Sequence, residues 1–160
     1  MHVRAQRCFP EPRTHIRIDV NSKESEMGDE ALSPAEVISQ LTARYNAGDL
    51  AGAMSYISED AVNHGPPPTA NLIEWRARWD AARAVLPDLQ ANVQLVITQD
   101  DLVCRLIRIT GTSAAPESAG KPVDVLGMDI IRVRDGLVVE HWALADTAAM
   151  TAQLQGEPPQ

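Results

Sequence analysis

The sequence predicts an α+β fold, a cone-shaped, curved antiparallel sheet with three N-terminal helices enclosing a hydrophobic pocket. Three observations predict it. Apolar residues recur at helical spacing between positions 33 and 86, alternate at strand spacing from 91 onward, and the longest alternating run is broken once, by Asp135-Gly136. Helices first and antiparallel strands afterwards is the pattern of a sheet with helices packed on one side.

Residues 1–27 read as a flexible N-terminal leader, because they are basic, contain two prolines and offer only the short alternating patch HIRIDV. The domain occupies 28–160. Its first helix starts at Ser33-Pro34-Ala35-Glu36, where Ser caps, Pro suits the first turn and Glu closes a capping box. Val37, Ile38, Leu41 and Tyr45 then share one face, and Asn46-Ala47-Gly48 ends the helix. Asp49 caps a second, short helix with Leu50, Met54 and Ile57 inward, after which AVNHGPPP leads to a third. Leu72, Trp75, Trp79, Ala82 and Leu86 form the apolar face of this one, and Pro87 terminates it. Ala91 to Thr98 and LVCRLIRIT are two strands about a Gln-Asp-Asp turn. SAAPESAG is a loop, and DTAAMTAQLQ is a last short helix.

Asp-Gly at 135–136 is a strong two-residue turn signal, so Arg134 should face Leu137. Counting back in that register puts Val138 opposite Val133, Glu140 opposite Ile131 and Trp142 beside Asp129, all on one face. His141 then falls on the other face with Met128, Ile130 and Val139, unless a bulge shifts the register by one. Asp129 stands in the row Val125, Gly127, Asp129, Ile131, Val133, so its carboxylate must be paired, protonated or facing a cavity. Arg105 and Arg108, on the strand expected to pair with this one, are the possible partners.

With 14 Lys and Arg against 22 Asp and Glu, the formal charge is −8, which disfavours nucleic acid and anionic membrane surfaces as partners. No apolar run approaches the roughly 20 residues of a membrane span, and no signal-peptide core is visible. Cys8 and Cys104 are isolated and no Cys/His cluster has metal-ligand spacing, so neither disulfide nor metal is expected. These features suggest a cytoplasmic protein without cofactor.

The ordered set NAGDL (46–50), DAVNHGPP (60–67), LPDL (86–89) and GMDIIRVRDGLVVEHWALAD (127–146) resembles the SnoaL-like polyketide cyclases, or ester cyclases, of the nuclear-transport-factor-2-like superfamily. The resemblance spans about residues 33–155. It implies a cone whose mouth admits a hydrophobic small molecule, and a homodimer packed through the outer sheet face. It also implies a cofactor-free intramolecular aldol closure with Asp129 as general acid/base and His64 assisting. Tyr45, Trp75, Trp79, Trp142, Glu140 and Asp146 are the expected substrate-binding residues. Relatives often read GTHTG where this chain has Gly111-Thr112-Ser113, so a base supplied there is missing.

Aldol closure takes a proton from carbon and delivers one to an alkoxide, so one group must exchange roles near neutral pH. Burial beside apolar side chains would raise an aspartate into that range; a neighbouring Arg would lower it. Other chemistries of the same pocket stay open: isomerisation, oxa-cyclisation or cycloaddition by shape alone. An epoxide hydrolase would use Asp129, Arg105 or Arg108, and Asp146. From a different class, a non-catalytic small-molecule-binding dimer would hold Asp129 in an ion pair. Met128, Ile130, Leu137, Val139 and Ala143 make the expected apolar dimer patch.

Overall fold

A computed structural model of the chain describes residues 31–65 and 67–156. The predicted leader and the HIRIDV patch lie outside the described residues. The order of elements is α1 (Pro34–Asn46), α2 (Leu50–Met54), β1 (Ile57–Asn63), α3 (Leu72–Val85), β2 (Gln90–Gln99), β3 (Leu102–Thr112), β4 (Pro122–Arg134), β5 (Leu137–Ala145) and α4 (Thr147–Gln155). The five strands form one curved sheet in the order β1-β5-β4-β3-β2, with no pairing between the two edge strands to close it.

The helices start where the sequence places them. Ser33 and Glu36 complete the capping box of α1, and Asn71 caps α3 by accepting from Glu74 N–H at 3.0 Å. Val37, Ile38 and Leu41 turn inward from α1 against Val103, Ile131 and Val133 of β3 and β4. At the other end of α1, Asn46 Oδ1 accepts from Ala91 N–H at 2.8 Å and its Nδ2 donates to Ala91 O at 3.1 Å. This amide pair pins the helix to the start of β2. A second cluster, Leu86, Leu89, Val123 and Val125, closes the opposite end beneath Met150 and Leu154 of α4.

The sheet is mixed rather than antiparallel, because β1 runs parallel to β5 along its free edge. Alternation specifies which side chains point inward but carries no information on strand direction, and the pairing joins segments about 80 positions apart. The antiparallel run β2 to β5 follows the expected order.

The β4–β5 hairpin departs from its expected register. Arg134 faces Leu137 and Val133 faces Val138, but Arg132 then faces Glu140, leaving Val139 as an extra residue. Beyond this bulge every side chain of β5 changes face. Ile131 faces His141, Ile130 faces Trp142 and Asp129 faces Ala143. The physical reason is electrostatic: the unshifted register would press the Glu140 carboxylate against the buried Ile131, whereas the bulge sets it 3.1 Å from Arg132 Nη1 on the outer side.

Asp135 and Gly136 both have positive φ, 51° and 75°, as a tight hairpin turn of this hand requires. A Cβ at Gly136 would meet nothing within 4 Å, so the cost of Gly136→Ala is backbone strain alone. Chemical denaturation should show a loss of about 1–2 kcal/mol.

Bulging also redraws the outer face. Met128, Ile130 and Leu137 are exposed there as expected, but Ala143 is inside, and Trp142 and Leu144 take its place. Leu126 on β4 and Leu95 and Ile97 on β2 extend the exposed apolar surface across the sheet.

Candidate active site

β3 and β4 each offer an alternating inward row, and their register sets Arg105 directly opposite Asp129. Arg105 Nε donates to Asp129 Oδ1 at 2.9 Å and Nη2 to Oδ2 at 2.5 Å, a two-point fork. Arg105 Nη1 donates to Thr42 Oγ1 at 2.6 Å, and that hydroxyl donates onward to Ile38 O at 2.7 Å. Both charged residues are buried, 7% and 4% exposed, so each depends on the other for its solvation. Arg108, the other possible partner, is on the outer face with Asp124.

Burial by itself pushes the Asp129 carboxyl up. The hydrogen bonds and charge of Arg105, supported by the neighbouring His141 ring, outweigh it and hold the group below the ordinary aspartate value. Asp129 is therefore an ion-paired carboxylate, the paired state being one of the three that its place in the sequence left open.

His141, which the unbulged register sends outward, completes this site. Its Nε2 lies 3.8 Å from Asp129 Oδ2, and its ring stacks on the buried Trp75 with centroids 5.3 Å apart and planes 21° from parallel. Nδ1 is 3.1 Å from Asn63 Oδ1, which also accepts from Gly65 N–H at 3.0 Å. Because that amide oxygen is an acceptor, His141 Nδ1 carries a hydrogen, so in the neutral ring the lone pair belongs to Nε2, the nitrogen nearer Asp129. Trp79 stands half-buried between Trp75 and Tyr45, in edge contact with both at 6.2 and 4.9 Å. Tyr45 packs against the core with Arg83 over its ring, and burial raises its hydroxyl pKa although the Arg83 charge opposes this.

The remaining expected residues are elsewhere. His64 is on the outer face, its ring stacked 4.9 Å from Trp142 at an interplanar angle of 9° and its Nε2 2.9 Å from Glu140 Oε1. Arg132 covers the Trp142 ring and bonds Glu140. His64, Trp142 and Glu140 therefore form a cluster of their own across the sheet from Asp129, because faces alternate where β1 ends: Asn63 points in and His64, the residue after it, points out. Asp146 caps α4, its Oδ1 accepting from Ala149 N–H at 2.8 Å, so the expected Asp-Arg-Asp set for epoxide hydrolysis is not assembled.

Asn63, Thr42 and His141 are the site residues that sequence reasoning missed. The available signal was Glu140: a register that buries it unpaired should have favoured the bulge, which brings His141 inside.

A cavity of about 350 Å³ lies between α1 and strands β2 and β3, walled by Ile38, Val93, Val96 and Val103 and reaching Thr42 and Arg105. None of the six side chains expected to bind substrate lines it.

A family model for SnoaL-like polyketide cyclases matches residues 35–154. The chain is 31% identical to IdmH, a candidate polyketide cyclase from Streptomyces antibioticus, over 77% of its own length and 99% of that chain, with a TM-score of 0.71. AclR, a candidate hydroxylase from Streptomyces galilaeus, superposes equally well, TM-score 0.71, at 23% identity, covering 78% of this chain and 82% of that one. A candidate polyketide cyclase from Bacillus cereus has the same fold at 20% identity and TM-score 0.67, covering 78% and 82%. The latter two likenesses concern the fold alone. No curated protein matches in sequence.

Proposed function

Because the chain belongs to the SnoaL-like polyketide cyclase family, a membership that supports a cyclase- or isomerase-type role, we propose that it is a cofactor-free cyclase closing a ring within a hydrophobic, polyketide-like molecule. The observation that carries the mechanism is the position of His141 Nε2, 3.8 Å from an Asp129 carboxylate that Arg105 keeps ionised. In this reading His141 is the proton carrier and Asp129 the fixed anion. His141 takes a proton from the carbon between two carbonyls, and the resulting enolate carbon attacks a third, more distant carbonyl of the same molecule. One C–C bond forms, one C=O π bond breaks, and the alkoxide regains the proton from His141. Nothing is lost or oxidised. The imidazolium formed midway lies beside Asp129 and is stabilised there, the arrangement that a carboxylate-supported base uses elsewhere. Ala143, the next inward residue of β5, and Trp79, in edge contact with the Trp75 ring on which His141 stacks, are half-buried.

A shape-driven ring closure is favoured by a different observation: Arg105 and Asp129 spend their charges on each other. There the protein would contribute only the holding of reacting ends together. Turnover that survives His141→Gln would select this reading, or the non-catalytic binder if the unsubstituted chain turns nothing over.

The outer face supports a homodimer. Leu95, Ile97, Met128, Ile130 and Leu144, the last 71% exposed, form an apolar surface of a kind that marks association. His64, Glu140 and Trp142 belong to this side, so their proposed role is at the interface rather than in proton transfer. Ile130→Asp should give a folded monomer by sedimentation, from a parent that sediments as a dimer at micromolar concentration. A monomeric parent would remove the claim.

A further inference from the structure

We infer that the cavity between α1 and strands β2 and β3 is a binding site for a neutral ketone on an apolar body, with Arg105 as the group that recognises the carbonyl oxygen. It goes beyond the cyclase reading, since nothing in it depends on His141. Arg105 and His141 approach the same Asp129 oxygen from β3 and β5, on either side of β4, and the cavity is lined by Arg105 and not by His141.

The guanidinium carries five N–H donors. Three are used: Nε and one on Nη2 toward Asp129, and one on Nη1 toward Thr42. The other two, one on each terminal nitrogen, have no partner among the described residues. Arg105 has only donors to offer, so the ligand atom it meets must be an acceptor. The side chain is 8% exposed and belongs to the cavity lining, where an acceptor for a buried donor is most effective.

Charge decides which acceptor. Asp129 already neutralises Arg105, so a carboxylate arriving at the same guanidinium would bring a second, uncompensated negative charge against the first. A carbonyl oxygen satisfies the donors and adds none.

The walls decide the rest of the ligand. Ile38 and Val103 are buried at the closed side, while Val93 and Val96 of β2 present 41% and 44% of their surface on the same side of the sheet as Arg105. Among the described residues these valines stay partly open to solvent, and an apolar ring or chain lying between α1 and β2 would remove them from water. A volume of about 350 Å³ suits a bicyclic molecule.

The test uses the full chain with methyl-labelled Ile and Val and three probes: 1-tetralone, its hydrocarbon tetralin, and 2-naphthoate. The expected result is that 1-tetralone shifts the methyls of Ile38, Val93, Val96 and Val103. It should also bind about tenfold or more tighter than tetralin, the discrimination of a hydrogen bond to a charged group. In Val96→Trp, which fills the cavity from its exposed side, 1-tetralone should no longer shift Ile38 and Val103 although the spectrum stays that of a folded protein. Equal binding of tetralin and 1-tetralone would overturn the inference, as would tighter binding of 2-naphthoate or shifts confined to residues outside this cavity. Because binding is read without turnover, its failure leaves the His141 chemistry standing. Normal turnover in His141→Gln, conversely, removes that chemistry and leaves this site untouched.

Discussion

Replacing Asp129 with alanine is expected to cost about 3–5 kcal/mol of folding stability, because it leaves Arg105 buried without its counter-charge. The fork at 2.9 and 2.5 Å and the near-complete burial of both partners mean that no solvent is available to take over. Arg105→Met, keeping Asp129, should be similarly damaging, while Arg105→Met combined with Asp129→Ala should lose much less than the two single losses summed, since no orphaned charge remains. Denaturant titrations of the four proteins measure this, and additive losses would show that the two residues do not depend on each other. The pH dependence has a definite sign. Asp129 titrates lower in the folded chain than in the unfolded one, so its contribution is fully present above the unfolded value of about 3.9. It is lost as pH falls from there through the folded value. The parent should therefore lose stability in acid more steeply than the doubly apolar variant.

The second large effect concerns His141. His141→Gln keeps a hydrogen-bonding side chain of similar reach against Asn63 but removes the ring nitrogen that faces Asp129. Ring closure should fall about 10²- to 10⁴-fold, the usual contribution of a positioned proton carrier. His64→Gln, on the other side of the sheet, should leave the rate near that of the parent. Reversed sensitivities, with His64 needed and His141 dispensable, would return the proton transfer to the outer cluster.

Much of this was legible in the chain. Capping signals at Ser33 and Asn71, the stop at Pro87 and the Asp135-Gly136 turn each act through residues within one or two turns, and each is where local chemistry demands it. Asp129 was also readable, since a carboxylate in the row Val125 to Val133 needs a partner and Arg105 was one of two available. What escaped was a single residue of register. The turn fixes the first two pairs of the hairpin, but the bulge at Val139 is decided by whether Glu140 or His141 is the better neighbour for Ile131 and Asp129. That comparison involves Asn63 and Trp75, both from distant parts of the chain. The parallel placement of β1 is likewise non-local, and it is what brings Asn63 to His141.

The measurement that tests the account most directly is the titration of the Asp129 carboxyl by carbon NMR, assigned with Asp129→Asn. The account predicts a midpoint below the ordinary aspartate value of about 3.9, as Arg105 and His141 require. A midpoint raised above that value would mean a poorly solvated carboxyl able to hold a proton, and would contradict the assignment of proton transfer to His141.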